Sequence, residues 1–134
     1  MKLNSDCIRD ILFMVEETAD FFKVAYYCKG NKHKTIAKYS HEEILYHIKQ
    51  CEMSGLFTDV MFSDDGDEVT IADLSPKGHE FIANIRQDNI WNGIKSIAQK
   101  VGSTSLSALI QISSNVIAEI IKAQFGIGGM PLIP

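Results

Sequence analysis

The chain has 134 residues, a hydrophobic fraction of 46% and a formal net charge of −4. That length holds one domain with at most an appendage, and that apolar content excludes general disorder. The negative balance argues against binding nucleic acid through the overall field of the molecule. Cys7, Cys28 and Cys51 are an odd number without C-x-x-C spacing, which points to free thiols in a reducing, cytoplasmic setting. The amino terminus reaches Asp6 too early for a signal peptide.

A first helix is expected over residues 5–22. Ile8, Ile11, Leu12, Val15, Ala19 and Phe22 form one apolar stripe, and Asn4, Ser5 or Asp6 can cap its start. Residues 23–38 then carry Lys23, Lys29, Lys32, Lys34 and Lys38 with no acid among them. Gly30-Asn31 signals a turn, and the composition of residues 35–39 predicts a short strand.

The second helix, over 41–54, opens with a capping box. Ser40 can accept from the N–H of Glu43, and Glu43 can reach back to that of Ser40. Ile44, Leu45, Ile48 and Cys51 share a face, and Gly55-Leu56 makes the left-handed stop. Residues 56–62 and 68–74 read as strands joined by Ser63-Asp64-Asp65-Gly66-Asp67, an Asp-Gly hairpin tip. Ser75 and Pro76 begin a helix with Phe81, Ile82 and Ile85 inward. Another follows over 89–101, with Trp91, Ile94, Ile97, Ala98 and Val101 as its apolar face and Gly102 as its stop.

The last helix is expected over 105–125. Its apolar residues cover an arc of roughly 220° at 100° per residue, about twice that of an ordinary surface helix. Such a helix needs cover on more than one side, from its own chain or between subunits. Leu106, Leu109, Ile110, Val116, Ile117, Ile120, Ile121 and Phe125 are the candidate oligomer interface. Residues 101–118 lack charge, but five serines, Thr104, Gln111 and Asn115 interrupt them, which argues against a membrane span. Gly126 should end the helix, and residues 127–134 form an apolar tail.

The expected fold is therefore α+β. A winged-helix-like core (helix, short strand, helix, β-hairpin wing, helix) occupies 1–87, and an oligomerising helical extension occupies 88–134. No catalytic or cofactor constellation assembles. His47 and Cys51 lie one turn apart, a zinc-compatible spacing, but no second pair joins them. The acids at 64–68 lack the terminal Glu of a calcium loop. Gly126-Ile127-Gly128-Gly129 follows a helix rather than a strand, so it is no dinucleotide fingerprint.

Certain residues together carry a resemblance. They are Met1-Lys2-Leu3-Asn4 with Asp6, Arg9-Asp10-Ile11-Leu12, Tyr39-Ser40 with Glu42-Glu43-Ile44 and Tyr46-His47, Gly55-Leu56, Leu74-Ser75 with Gly78-His79-Glu80-Phe81, Ile85-Arg86, and Trp91. Over about residues 1–100 the chain resembles a family of small uncharacterised proteins from phages and bacterial genomes. The resemblance implies a phage or prophage origin and a winged-helix-like core, and it implies no activity. A looser likeness to metal-responsive and other repressors lies at His47-Ile48-Lys49 and Gly55-Leu56. Those repressors place an extra helix before the recognition helix, where residues 35–39 here read as strand.

Two functions follow. As a DNA-binding regulator, the chain would use Lys29, Lys32, Lys34, Tyr46, His47, Lys49 and Gln50 against phosphates and bases. The hairpin opposes this, because it carries Asp59, Asp64, Asp65, Asp67, Glu68 and Asp73 and no cation. The alternative is an oligomeric protein-interaction module with no DNA contact. In that reading the 35–39 strand pairs beside 68–72 and brings Lys34 and Lys38 to Glu68.

Overall fold

The computed structural model describes residues 1–125. Among them are five helices and one three-stranded antiparallel sheet, in the order α1 (Ser5–Thr18), β1 (Ala25–Cys28), α2 (His41–Met53), β2 (Phe57–Phe62), β3 (Glu68–Leu74), α3 (Pro76–Ile85), α4 (Asp88–Val101) and α5 (Leu106–Phe125). The fold is α+β. Two compact units divide it, one spanning Met1–Ala83 and one beginning at Asn84. The expected stop at Gly126 and the tail at 127–134 lie outside the described residues.

In the first unit the apolar side of the sheet faces α1 and α2. Ile8, Ile11, Leu12 and Val15 of α1 meet Val69 and Ile71 of β3, Tyr27 of β1 and Ile44, Ile48 and Cys51 of α2 in one buried core. The strand order is β1-β3-β2. Val60 pairs with Ile71 and Phe57 with Leu74, so the inward residues are three apart rather than two or four. Asp59 takes up this break with a φ of 43°, a conformation that Asp tolerates better than most residues. The kink returns both Phe57 and Leu74 to the core.

Two expectations fail here. The first helix ends at Thr18, not at residue 22. The Asp20 carboxylate accepts from the N–H groups of Phe22 and Lys23, both at 2.8 Å, and this local turn competes with helix continuation. The short strand is Ala25–Cys28 rather than 35–39, and it pairs with residues 68–71 of β3. Residues 34–38 instead form a tight turn. Within it the Ile36 N–H donates to the His33 carbonyl and the Tyr39 N–H to the Ile36 carbonyl. Tyr27 is β-forming and apolar enough to take the core position that the 35–39 reading gave to its own residues. Ile36 and Tyr39 still reach the core, but from a turn.

The remaining punctuation works locally. Gly55 (φ 76°) ends α2 in the left-handed region. The Ser75 hydroxyl donates to the Gly55 carbonyl and accepts from the Gly78 N–H, which caps α3. Gly78 is required for contact rather than for backbone freedom. A Cβ there would sit 2.2 Å from the carbonyl oxygen of Leu56.

In the second unit α4 packs against α5. Trp91, Ile94 and Ala98 of α4 are buried, while Ile97 and Val101, expected on the same face, are exposed.

Candidate functional site

The exposed side of α2 was the first candidate. Lys49 is exposed, and Tyr46 and Gln50 are half-buried. Lys49 pairs with Glu52 at 2.9 Å and lies over the Phe62 ring. His47 is a correction, because it is fully buried. Its Nε2 accepts from the Asn4 backbone N–H at 2.8 Å, so its Nδ1, 2.7 Å from the Glu43 carbonyl, carries the proton. Both ring nitrogens are spent inside the protein, and neither can reach a base.

Asn4 ties the two helices together. Its Oδ1 accepts from the N–H groups of Asp6 and Cys7, which caps α1, and its Nδ2 donates to Glu43 Oε2. Glu43 thus serves Asn4 rather than closing the expected capping box, of which the Ser40 half forms at 3.1 Å. The partners are 39 to 43 residues apart in the chain, so no local pattern announces them.

The lysine loop, the second candidate, is spent largely within the protein. Lys34 lies 3.9 Å from Glu17 and Lys38 3.6 Å from Asp10, both acids of α1. The expected approach of Lys34 and Lys38 to Glu68 does not occur, because β1 holds the strand position beside β3. Lys32 donates through Nζ to the Tyr39 carbonyl. The Lys29 N–H donates to the Asp67 carbonyl at 2.8 Å, and its residue is exposed.

The same economy holds for other polar groups of this unit. The Tyr39 hydroxyl donates to Asp10 Oδ2 at 2.5 Å, and burial first, then that bond, pushes its ionisation up. The Tyr27 hydroxyl lies 2.6 Å from His41 Nδ1, and His41 Nε2 lies 2.9 Å from the Gly66 carbonyl. These two contacts hold the His41 ring between β1 and the hairpin tip. Burial raises the Cys7 thiol to about 12, helped by the charges of Glu43 and Asp10, and it raises Cys51 further. Neither thiol is poised as a nucleophile. Among the described residues no group of three His, Cys, Asp or Glu is placed to hold a metal ion.

The third candidate, α5, divides. Leu106 and Leu109 are buried within the chain, which corrects their place in an oligomer interface. Ile110, Val116 and Ile117 are half-buried, and Ile120, Ile121 and Phe125 are exposed. Between α4 and α5 runs an open groove of about 520 Å³, lined by Ile97, Ile112, Val116, Ile120 and Ala123, with Asn115 and Glu119 at its polar edge. By length and composition alone α5 could cross a membrane.

Phe22, expected on the apolar stripe of the first helix, is exposed, and so are three residues outside every expected stripe. Phe21 and Phe22 are 94% and 92% exposed at the Asp20 turn, and Tyr26 and Met61 stand on the outer face of the sheet. The useful sign was Asp-Phe-Phe-Lys at 20–23, an Asx-turn start that overrides the helical stripe.

The family model described as "Hypothetical protein (DUF2513)" matches residues 2–105. A relative from Haemophilus influenzae, described as an uncharacterized protein, is 29% identical over 124 residues, which cover 90% of this chain and 99% of the relative. No solved structure matches.

Proposed function

The chain belongs to the DUF2513 family, and we propose that it is a non-enzymatic binding module with a winged-helix-like core that self-associates through α5. The apolar groove between α4 and α5 carries this reading. Its walls and the adjoining Ile121 and Phe125 expose aliphatic and aromatic surface that a monomer leaves in water. The occupant is a second copy rather than a bilayer. Gln111, Ser114 and Asn115 break the apolar surface at the middle of α5, and Glu119 and Lys122, 3.5 Å apart, break it nearer the carboxyl end, which lowers the apolar excess a spanning helix needs. Three free thiols suit a reducing, cytoplasmic compartment. Origin in phage or prophage genomes belongs to the same reading, and the genomic neighbourhood of homologues tests it.

Light scattering at micromolar concentration tests the assembly. The native chain should exceed a monomer's mass, and Ile120→Glu with Ile121→Glu should return it to one. A native monomer, unaffected by deleting residues 103–134, sinks the proposal.

A second reading, a DNA-binding regulator, has its own support in the layout around α2. The turn at 34–38 stands where repressors of this layout carry their extra helix, and Lys49, Tyr46 and Gln50 are accessible. Counter-ion release needs several free cations on one face, whereas Lys34, Lys38 and Lys49 are each paired with an acid. Binding by this route is weak and steep in salt. A random duplex pool at low and moderate salt should yield a shared motif if this reading holds, and replacing Lys29, Lys32 and Lys34 by Ala should abolish the shift. Retention of no duplex at either salt removes it.

A further inference from the structure

We propose that the outer face of the sheet is a docking surface for a cationic, amphipathic segment of a partner protein. Strand register places Tyr26, Thr70 and Met61 in one row across β1, β3 and β2. Tyr26 is 51% and Met61 71% exposed. The same residues, with Phe62, Ser63, Glu68 and Val69, enclose a shallow hollow of about 220 Å³. Tyr26 is held in place, because its hydroxyl donates to the Glu68 carboxylate across the strand pair. Val24, half exposed, continues the apolar strip along the chain toward Phe22. The lining residues belong to the strands and the hairpin tip, so the hollow exists before a partner binds.

Charge selects the occupant. The hairpin beside the hollow carries six acids and no Lys or Arg. Two of them are occupied by their own backbone: Asp65 accepts from the Ser63 hydroxyl and the Asp67 N–H, and Asp73 from the Leu74 N–H. Asp67 lies 4.0 Å from His41 Nε2 and pairs with no Lys or Arg. Among the described residues no Lys or Arg pairs with any of the six. Asp59, Asp64 and Glu68 therefore keep acceptor capacity for cations from outside. A nucleic acid or an anionic lipid surface is repelled by this field, and an apolar segment bearing Lys or Arg is drawn to it. A second copy supplies fewer of those cations, because several of its lysines are already engaged. Its Lys34, Lys38 and Lys49 are ion-paired, and α5 offers Lys122 already beside Glu119. Docking on this face does not require the assembly through α5.

The test uses the full chain and two labelled twelve-residue peptides, one alternating Leu with Lys and one alternating Leu with Glu, followed by fluorescence anisotropy. The Leu/Lys peptide should bind at least tenfold more tightly than the Leu/Glu peptide. Met61→Ser, on an exposed side chain, should weaken it at least fivefold with an unchanged circular dichroism spectrum. Asp64→Asn with Glu68→Gln should weaken it and flatten its salt dependence. Ile120→Glu with Ile121→Glu should leave it intact, whether or not the chain self-associates. Equal binding of the two peptides, or native affinity in Met61→Ser, overturns the proposal. So does loss of self-association in Met61→Ser with peptide binding retained, which would give this face to a second copy.

Discussion

α1 and α5 are both built on aliphatic residues at helical spacing, yet they meet different fates. α1 has α2, β1 and β3 around it, and Cys7, Ile8, Ile11, Leu12, Met14 and Val15 all disappear from solvent. α5 is longer, and it packs against α4. Only Leu106, Leu109 and Ser113 of α5 are buried. An apolar stripe says which residues gain from leaving water. Whether the chain supplies the cover depends on how many elements the topology brings to that face. The first unit also consumes several polar groups internally, through Asn4, His47, Tyr39 and His41, and leaves its acidic hairpin outward, while α5 leaves apolar surface to be used.

Mutations separate the two helices. Ile11→Ala in α1 should cost about 2–5 kcal/mol, as for other buried aliphatic truncations, measured by urea unfolding. A cost comparable to that of an exposed site would break the contrast. Gly78→Ala should cost about 3 kcal/mol or more, because the new methyl meets a backbone carbonyl that cannot rotate aside. A near-neutral result would mean that α3 can move away from Leu56. His47→Ala should cost about 2–3 kcal/mol by stranding the Asn4 N–H and leaving a void, and it should be far milder if water replaces the ring.

Alkaline titration measures the same internal saturation. Cys7, Cys51, Tyr27 and Tyr39 are held protonated by burial, with Asp10 adding to the effect at Tyr39. The folded state then binds more protons than the unfolded one once pH passes the ordinary thiol and phenol values. Stability is intact below about pH 9 and falls as pH rises through the window from 9 toward 12, by about 1.4 kcal/mol per pH unit for each group still protonated only when folded. Cys7→Ala should shallow the slope by up to one such increment, and an unchanged slope would remove Cys7 from the set. At the small end, Ile121→Ala should change unfolding of the dilute monomer by less than about 0.5 kcal/mol.

Much of the fold was legible because its punctuation is local. Ser40, Gly55, the Asp-Gly hairpin tip, Ser75-Pro76 and Gly102 each act within a turn of their own position, and each stands where its chemistry requires. The errors came where two local readings competed. Asp20 could sit on a helix or start a turn, and residues 35–39 have the composition of a strand as do Tyr26, Tyr27 and Cys28. The choice belonged to β3, since one strand position lies beside it and Tyr27 fills the core from there. The candidate contacts were less legible. His47 looked accessible at the flank of an apolar face, and its burial depends on Asn4, 43 residues away.

The sequence by itself determined the helices, the hairpin, their caps and stops, and the apolar excess of the last helix. These rest on periodicity and on interactions within a few residues. Only the tertiary structure decided which strand edges the sheet, which lysines are already paired, that His47 is internal, and that Tyr26 and Met61 share an outer row. Each of those depends on groups brought together from distant parts of the chain, and no spacing in the sequence encodes such a meeting.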